Sequence, residues 1–246
     1  MNTRQFFTRT AAALGLAVFA QSAFASNHHQ VTYKVTISNI TAGQPFTPPV
    51  VAVHNRRADV FTTGSPASEG VRQIAENGNN APLVAALYTD RNVKQVLQGD
   101  APLVPANNPG DTGFDNQVTF EFSTNGRARF LSLVSMLICT NDGFTGVDSV
   151  RLPTGHRPVT VLARAYETRT EQNTEDFADI VPPCQGLIGV GSDDAGTGES
   201  NPLLAENGVI IPHAGIVGDN DLQSRTHDWA DPVARIVIER VSRYKY

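Results

Sequence analysis

Short segments in which apolar and polar residues alternate recur along most of the chain. In VTYKVTISNI (31–40) the odd-numbered residues from Val31 to Ile37 are apolar and those between them are polar, as in a half-buried β-strand. In ARFLSLVSMLI (128–138) both faces are apolar, which favours a strand in the middle of a packed sheet, although a buried helix has a similar pattern. Further strand candidates are 49–54, 117–123, 147–152, 159–166 and 233–241. Many short strands with few helices predict an all-β fold, an antiparallel β-sandwich with short helices in its connections.

Helical spacing is confined to the connections between these strands. Ser68 precedes a short periodic segment that ends at Asn77-Gly78, so a helix is expected between a capping residue and a glycine stop. The segments 81–90 and 92–99 also have helix-like spacing, and 200–208 has a cap, an early proline and a final glycine. We therefore expect a small helical insertion over one end of the sandwich.

The N-terminus has the three parts of an export signal. Arg4 and Arg9 form a positive region, residues 11–20 are apolar, and an A-x-A pattern ends at Ala25. Ten apolar residues are about half of the ~20 that span a bilayer, so cleavage after Ala25 is expected rather than anchoring. Residues 26–246 then form a single domain, and no second apolar segment is long enough to cross a membrane.

The charge of the mature chain argues against nucleic acid as a partner. Loss of Arg4 and Arg9 leaves 17 of the 19 basic residues against 24 acidic ones, a formal charge of −7. A chain with this balance lacks the basic surface that binds phosphate backbones or anionic membranes.

Cysteine usage fits an exported protein. Cys139 and Cys184 are the only cysteines, and an even number in an oxidising compartment favours one disulfide over two buried thiols. Neither cysteine has a Cys or His partner at the spacing of a zinc motif, so a zinc site is not expected.

The common catalytic motifs are absent from the sequence. It has no G-x-S-x-G elbow, and its six histidines show no metal-ligand spacing. The glycine-rich segment 189–200 lacks the Gly-Lys-Ser/Thr ending of a phosphate loop. Its acidic residues Asp193, Asp194 and Glu199 are better explained as an exposed loop than as a weak calcium site.

Four carboxylates follow or lie near the ends of predicted strands. Asp142 follows the strand 128–138, Glu121 lies on the polar face of the preceding strand, and Glu167 and Glu171 follow 159–166. Antiparallel strands bring such ends to one pole, where acids repel one another unless a cation such as calcium lies between them. Solvation of separate charged residues is the simpler alternative.

Several ordered blocks of the sequence resemble one known family. SLVSMLICTNDGFTGVDSVRL resembles the segment of the spondin N-terminal domain in which a hydrophobic strand ends in a P-D-W-F-V-G-V-D-S loop, and ARAYETRTEQNTE resembles its Y-D-A-G-T-D loop. YKVTISNITAGQPFTPPVVAVHN, PASEGVRQIAENG and WADPVARIVIERV are also similar to bacterial spondin-domain proteins.

The resemblance implies an eight-stranded sandwich, similar to synaptotagmin-type calcium- and lipid-binding modules, with one calcium ion at one end. By position it assigns the metal ligands to Glu121, Asp142, Glu167 and Glu171. The chain departs from the family pattern at two places. Gly143 replaces a tryptophan, and Glu167-Thr168-Arg169 replaces Asp-Ala-Gly, which places a positive charge beside the expected site.

Three functions follow as expectations. The first is a secreted or periplasmic binding or adhesion module of the envelope or matrix, not an enzyme, whose partner is an extracellular glycan, lipopolysaccharide or an envelope protein. The second is a hydrolase of surface polysaccharide that uses two of the four carboxylates as acid and base. The third is a structural envelope protein in which an ion pair with Arg169 replaces the metal.

Overall fold

The computed structural model describes residues 30–241, and in this range ten strands form two antiparallel sheets. In chain order the strands are β1 (Val31–Asn39), β2 (Val50–His54), β3 (Val93–Gln98), β4 (Gln117–Thr124), β5 (Phe130–Met136), β6 (Gly143–Arg151), β7 (Val159–Ala163), β8 (Ala165–Glu167), β9 (Ile211–Pro212) and β10 (Ala234–Val241). The four-stranded sheet has the order β4-β1-β10-β7 and the six-stranded sheet β3-β2-β5-β6-β8-β9. The predicted all-β sandwich is confirmed, with two strands more than the resemblance implies. The expected signal segment and its cleavage site at Ala25 lie outside the described residues.

Within residues 30–241 four short α-helices and one 3-10 helix (Phe177–Asp179) lie in the connections. The α-helices are α1 (Glu69–Asn77), α2 (Ala81–Thr89), α3 (Pro183–Ile188) and α4 (Ser224–His227). At the start of α1 the Ser68 hydroxyl accepts a hydrogen bond from the backbone N–H of Val71 at 3.3 Å, and at its end Gly78 has a φ of 64°. The serine cap and the glycine stop that predicted this helix are therefore both confirmed. Within residues 30–241 no helix combines the length and apolarity that a membrane span requires.

The six-stranded sheet is covered on both faces, and this explains the apolar pattern of β5. One face contributes Leu131 and Leu133 to the core between the sheets, where they join Val35 of β1. The other face contributes Val134 and Met136 to a second core that packs under α1. The prediction of a central strand at 128–138 is confirmed.

Two helical predictions are wrong. The segment predicted as a helix at 92–99 is strand β3. Every residue of β2 is buried, so the backbone N–H and C=O groups on the side of β2 that faces away from β5 need partners. β3 supplies these partners along a register that includes the pair Val50↔Gln98.

The segment 200–208 is not helical, because its backbone pairs with the loop after β8. Glu206 donates its backbone N–H to Thr170 O at 2.8 Å, and Glu171 forms a β-bridge with Ala205.

The single strand predicted at 159–166 is divided between the two sheets at Arg164. β7 pairs with β10, and β8 then crosses to pair with β6, so that Glu167 lies opposite Gly143. The segment that resembles the family's loop after the hydrophobic strand is mostly strand, since β6 begins at Gly143. These changes place the turn 137–142, between β5 and β6, beside the loop 168–175, and this pole contains most of the carboxylates predicted to bind a metal.

Candidate metal centre

The turn that carries Asp142 is built around the hydroxyl of Thr140. This hydroxyl donates to Leu137 O at 2.6 Å and accepts from the backbone N–H of Gly143 at 2.9 Å. A Cβ atom added at Gly143 would lie 2.4 Å from Thr140 Oγ1. The space next to the Gly143 backbone is therefore occupied by Thr140, and the chain has no room there for the tryptophan of the family pattern.

The Asp142 side chain is completely buried, and its two oxygens have different surroundings. Oδ2 accepts hydrogen bonds from Thr168 Oγ1 at 2.9 Å, from Thr170 N at 2.8 Å and from Glu171 N at 3.3 Å. Oδ1 has no hydrogen-bond partner among the described residues. Burial raises the pKa of Asp142 to about 6, and the three hydrogen bonds oppose this rise. Asp142 thus fixes the loop 168–171 with one oxygen and leaves a buried acceptor on the other.

Glu167 and Glu171 lie close to Asp142 but use their carboxylates elsewhere. Glu167 Oε2 accepts from Asn173 Nδ2 at 2.9 Å, and Glu171 Oε1 accepts from the backbone N–H of Asn201 at 2.6 Å. Burial raises the pKa of Glu167, and it raises the pKa of Glu171 to about 7, where nearby acidic side chains, including Asp142, add to the effect. Three of the four predicted ligands therefore meet at one pole as acids that are costly to ionise.

Glu121 is not brought to this pole. It is an exposed residue of β4 in the four-stranded sheet and lies opposite Lys34 of β1. The end of β1 that is close to the Asp142 turn is Asn39, because Gln44 bonds both to the Asn39 side chain and to the backbone of Cys139. Lys34 is five residues from that end, about 17 Å at ~3.3 Å per residue. The sequence suggested four converging acids, and the fold groups three.

Arg169 pairs with Glu206, and its positive charge partly offsets the rise in the pKa of Glu167. Its guanidinium Nε lies 3.5 Å from Glu206 Oε2, and the side chain is about half exposed. Its φ of 54° is held by Gly208, whose backbone N–H donates to Arg169 O at 2.9 Å. The ion pair that the sequence suggested as a substitute for metal is formed with Glu206 and not with Asp142.

A cavity of about 520 Å³ opens beside this pole, and Thr170 and Glu171 form part of its wall. Glu76 also lines it. The Glu76 side chain is 1% exposed, accepts from Arg72 Nη1 at 2.6 Å and is hydrogen-bonded to Ser200. The helix α1 was predicted from the sequence, but nothing in its pattern indicated that Glu76 would face another buried carboxylate. The negative charge of Glu76 also raises the pKa of Glu171.

The predicted disulfide is formed. Cys139 and Cys184 are joined with an S–S distance of 2.07 Å and a Cα–Cα distance of 5.1 Å. The bond ties the turn just before Asp142 to α3. On the chain-entropy model a loop of this length stabilises the fold by roughly 4 kcal/mol.

Two groups of three side chains in residues 30–241 have metal-ligating atoms within 4.8 Å of one another. One consists of Cys139, Cys184 and His227 and the other of Asp176, Asp194 and Asp221. Of the acidic residues in the loop 189–200, Asp194 belongs to the second of these groups. The oxygens of Asp142, Glu167 and Glu171 are not gathered as tightly as these.

Comparison with known proteins identifies one family. The family model of the spondin N-terminal domain (Spondin_N) matches residues 20–158, which is 139 of the 246 residues. The match includes Cys139 and Asp142, whereas Glu167, Glu171 and Cys184 follow it. No curated protein matches the chain. Together with the disulfide, the match points to an extracellular or secreted protein.

Proposed function

Because this chain belongs to the spondin N-terminal domain family, we propose that it is an exported binding or adhesion module of the cell envelope or matrix, with one calcium ion at the pole that contains Asp142. The observation that carries the metal is Asp142 Oδ1, a buried carboxylate oxygen without a hydrogen-bond partner. Such an atom is costly to desolvate unless a proton or a cation satisfies it.

The residues present suit a hard cation with oxygen ligands. Calcium is bound by about six to eight oxygens from carboxylates, carbonyls and water. Asp142 supplies Oδ1, while Glu167 and Glu171 supply carboxylates once they leave their hydrogen bonds with Asn173 and the backbone of Asn201. A bound ion would add positive charge beside Asp142, which has no ion pair among the described residues, since Arg169 is paired with Glu206.

The metal is tested by calorimetric titration of the chelator-treated full chain with calcium. We expect one site in the unchanged protein and none in Asp142→Asn, which keeps the shape of the side chain. Glu121→Gln is the matched control, because the resemblance assigns Glu121 to the site and the fold places it elsewhere. No calcium binding by the unchanged protein, or equal binding by Asp142→Asn, contradicts the metal site.

The partner we propose is an extracellular glycan, lipopolysaccharide or an envelope protein, and its binding depends on the same pole. The segment 168–171 is tied to Asp142 by three hydrogen bonds and borders the cavity, so ion binding and the shape of this surface are coupled. Lipopolysaccharide vesicles and immobilised surface polysaccharide are the probes. Retention that calcium increases, and that Asp142→Asn removes, supports the proposal, whereas no retention of the unchanged protein on either probe contradicts both of these partners.

A second candidate function is hydrolysis of a surface polysaccharide. It is favoured by Glu171, whose pKa of about 7 suits a general acid and which lines the same cavity as Glu76. Release of reducing ends from such a polysaccharide, lost in Glu171→Gln and kept in Glu121→Gln, supports this candidate.

A further inference from the structure

His227 lies against the disulfide in the interior of the protein. One of its ring nitrogens and the two sulfur atoms are within 4.8 Å of one another. Cys139, Cys184 and His227 are all completely buried. No local pattern in the sequence indicated this group, because its members are separated by more than forty residues and come from a turn and two short helices.

The two sides of the group are held together by a contact that does not involve the disulfide. Gln44 Nε2 donates to Cys139 O at 3.1 Å and to His227 O at 2.8 Å, and Gln44 Oε1 accepts from Cys139 N at 3.2 Å. Gln44 is itself completely buried. Breaking the S–S bond therefore leaves Cys139 and His227 fixed to a common side chain.

The environment of His227 favours an uncharged ring, which a metal ligand requires. Burial lowers its pKa and so disfavours the protonated ring. Nδ1 accepts from Gln223 N at 2.9 Å and lies 3.2 Å from Gln223 O, while Nε2 is buried without a hydrogen-bond partner. Metal binding through Nε2 requires the other tautomer, in which the proton sits on Nδ1 and is donated to Gln223 O at 3.2 Å in place of the bond from Gln223 N. A backbone carbonyl is a usual second contact of a ligating histidine.

We propose that the reduced chain binds one thiophilic metal ion through Cys139, Cys184 and His227. Thiolates select soft ions, chiefly Cu(I) and Zn(II). Cu(I) is the better fit, since it accepts three ligands, whereas zinc is almost always bound by four in structural sites. Ligand atoms around one such ion lie about 3.5 to 4 Å apart. The three atoms of this group are within 4.8 Å, so the sulfur atoms have to separate and the distance from the ring nitrogen to each sulfur has to shorten by at most about 1 Å.

The chemistry requires an external dithiol. The dithiol passes two electrons and two protons to the S–S bond, which gives two thiols here and a disulfide in the reductant. The two thiols then release their protons to solvent as the thiolates bind the metal. The same place in the fold thus holds either a covalent bond or a metal ion.

The test is a titration of the full chain in both redox states. The protein is reduced with dithiothreitol, freed of reductant without oxygen, and titrated with Cu(I) against a chromogenic Cu(I) chelator and, separately, with Zn(II). We expect one equivalent of metal in the reduced chain and none in the oxidised chain, with X-ray absorption showing two sulfur ligands and one nitrogen ligand. Cys139→Ser/Cys184→Ser removes binding, and His227→Asn weakens it by about tenfold or more.

His156→Asn is the control, because this histidine is exposed and lies outside the group. Equal metal binding by the reduced and oxidised chains overturns the proposal, as does full affinity in His227→Asn. If reduction unfolds the protein, circular dichroism measures whether the metal refolds it. Refolding when the metal is added supports the site, and a chain that stays unfolded with the metal present overturns it.

Discussion

Asp142 Oδ2 accepts a hydrogen bond from the backbone N–H of Thr170 at a distance of 2.8 Å. This contact joins the turn between β5 and β6 to the loop that follows β8, two segments that are 28 residues apart in the chain. The conformation of this pole therefore depends on the charge of one buried carboxylate.

We expect Asp142 to make the metal-free protein less stable as the pH rises. The pKa of Asp142 in the fold is about 6, above its ordinary value of 3.8, so the folded state binds the proton more tightly than the unfolded chain. The free energy of unfolding then falls between about pH 4 and pH 6, by on the order of 3 kcal/mol for a shift of this size. Urea denaturation of the unchanged protein and of Asp142→Asn, in metal-free buffer across this range, gives the contribution as the difference between them.

Calcium should reverse this effect, because a cation favours the ionised carboxylate. With calcium present, the difference between the unchanged protein and Asp142→Asn should grow in favour of the unchanged protein above about pH 6. A difference that is independent of pH, with and without calcium, would contradict the assigned environment of Asp142.

His213 should act in the opposite direction over a similar range. Burial lowers its pKa to about 4, so the folded state resists protonation, and stability is lost as the pH falls from about 6.5 towards 4. The His213 ring packs edge-on to Trp229 at 4.9 Å, and Trp229 is the only tryptophan, so its fluorescence reports this region directly. We expect acid to destabilise the unchanged protein more than His213→Gln, by up to about 3 kcal/mol. Equal acid sensitivity of the two proteins would show that His213 is protonated without cost.

Substitution of Gly143 by alanine should destabilise the fold by about 1–3 kcal/mol, since the new methyl group meets Thr140 in a position that its two hydrogen bonds fix. Gly155→Ala is the matched control, because a Cβ atom there meets nothing within 4 Å. Thermal unfolding of the two variants checks the prediction. A Gly143→Ala protein as stable as Gly155→Ala would mean that Thr140 moves freely.

Removal of the Ser132 hydroxyl should cost about 1–3 kcal/mol, because it leaves buried polar groups without partners. Ser132 Oγ lies 2.7 Å from His54 Nε2, donates to Asp148 Oδ1 at 2.8 Å and accepts from Ser149 N at 2.9 Å. Urea denaturation of Ser132→Ala measures the loss. Ser123→Ala, which removes a partly buried hydroxyl that is hydrogen-bonded to Thr32, is expected to lose less, and an equal loss in both would count against a special role for Ser132.

The bulge at Ser132 also shows where local sequence reasoning stops. Asp148, near the start of the strand predicted at 147–152, lies inside β6 and accepts from Val60 N at 3.1 Å as well as from Ser132. The register of β5 against β6 shifts at this point, and Ser149 has a φ of 54°. Such a bulge depends on which strands pair. The alternation of apolar and polar residues along one strand does not show which strand lies beside it or in what register.

Local patterns in the sequence were enough to predict the sandwich, the capped helix α1 and the central strand β5, and the number of cysteines was enough to predict their pairing. Strand pairing and packing were needed to establish that 92–99 is an edge strand, that 159–166 divides between two sheets, and that Glu121 is far from Asp142 while Glu76 and His227 join buried polar groups. Backbone groups of a buried strand must find partners, and a burial cost depends on what surrounds a side chain in space. Neither the partner of a strand nor the surroundings of a buried side chain can be deduced from a single segment of the sequence.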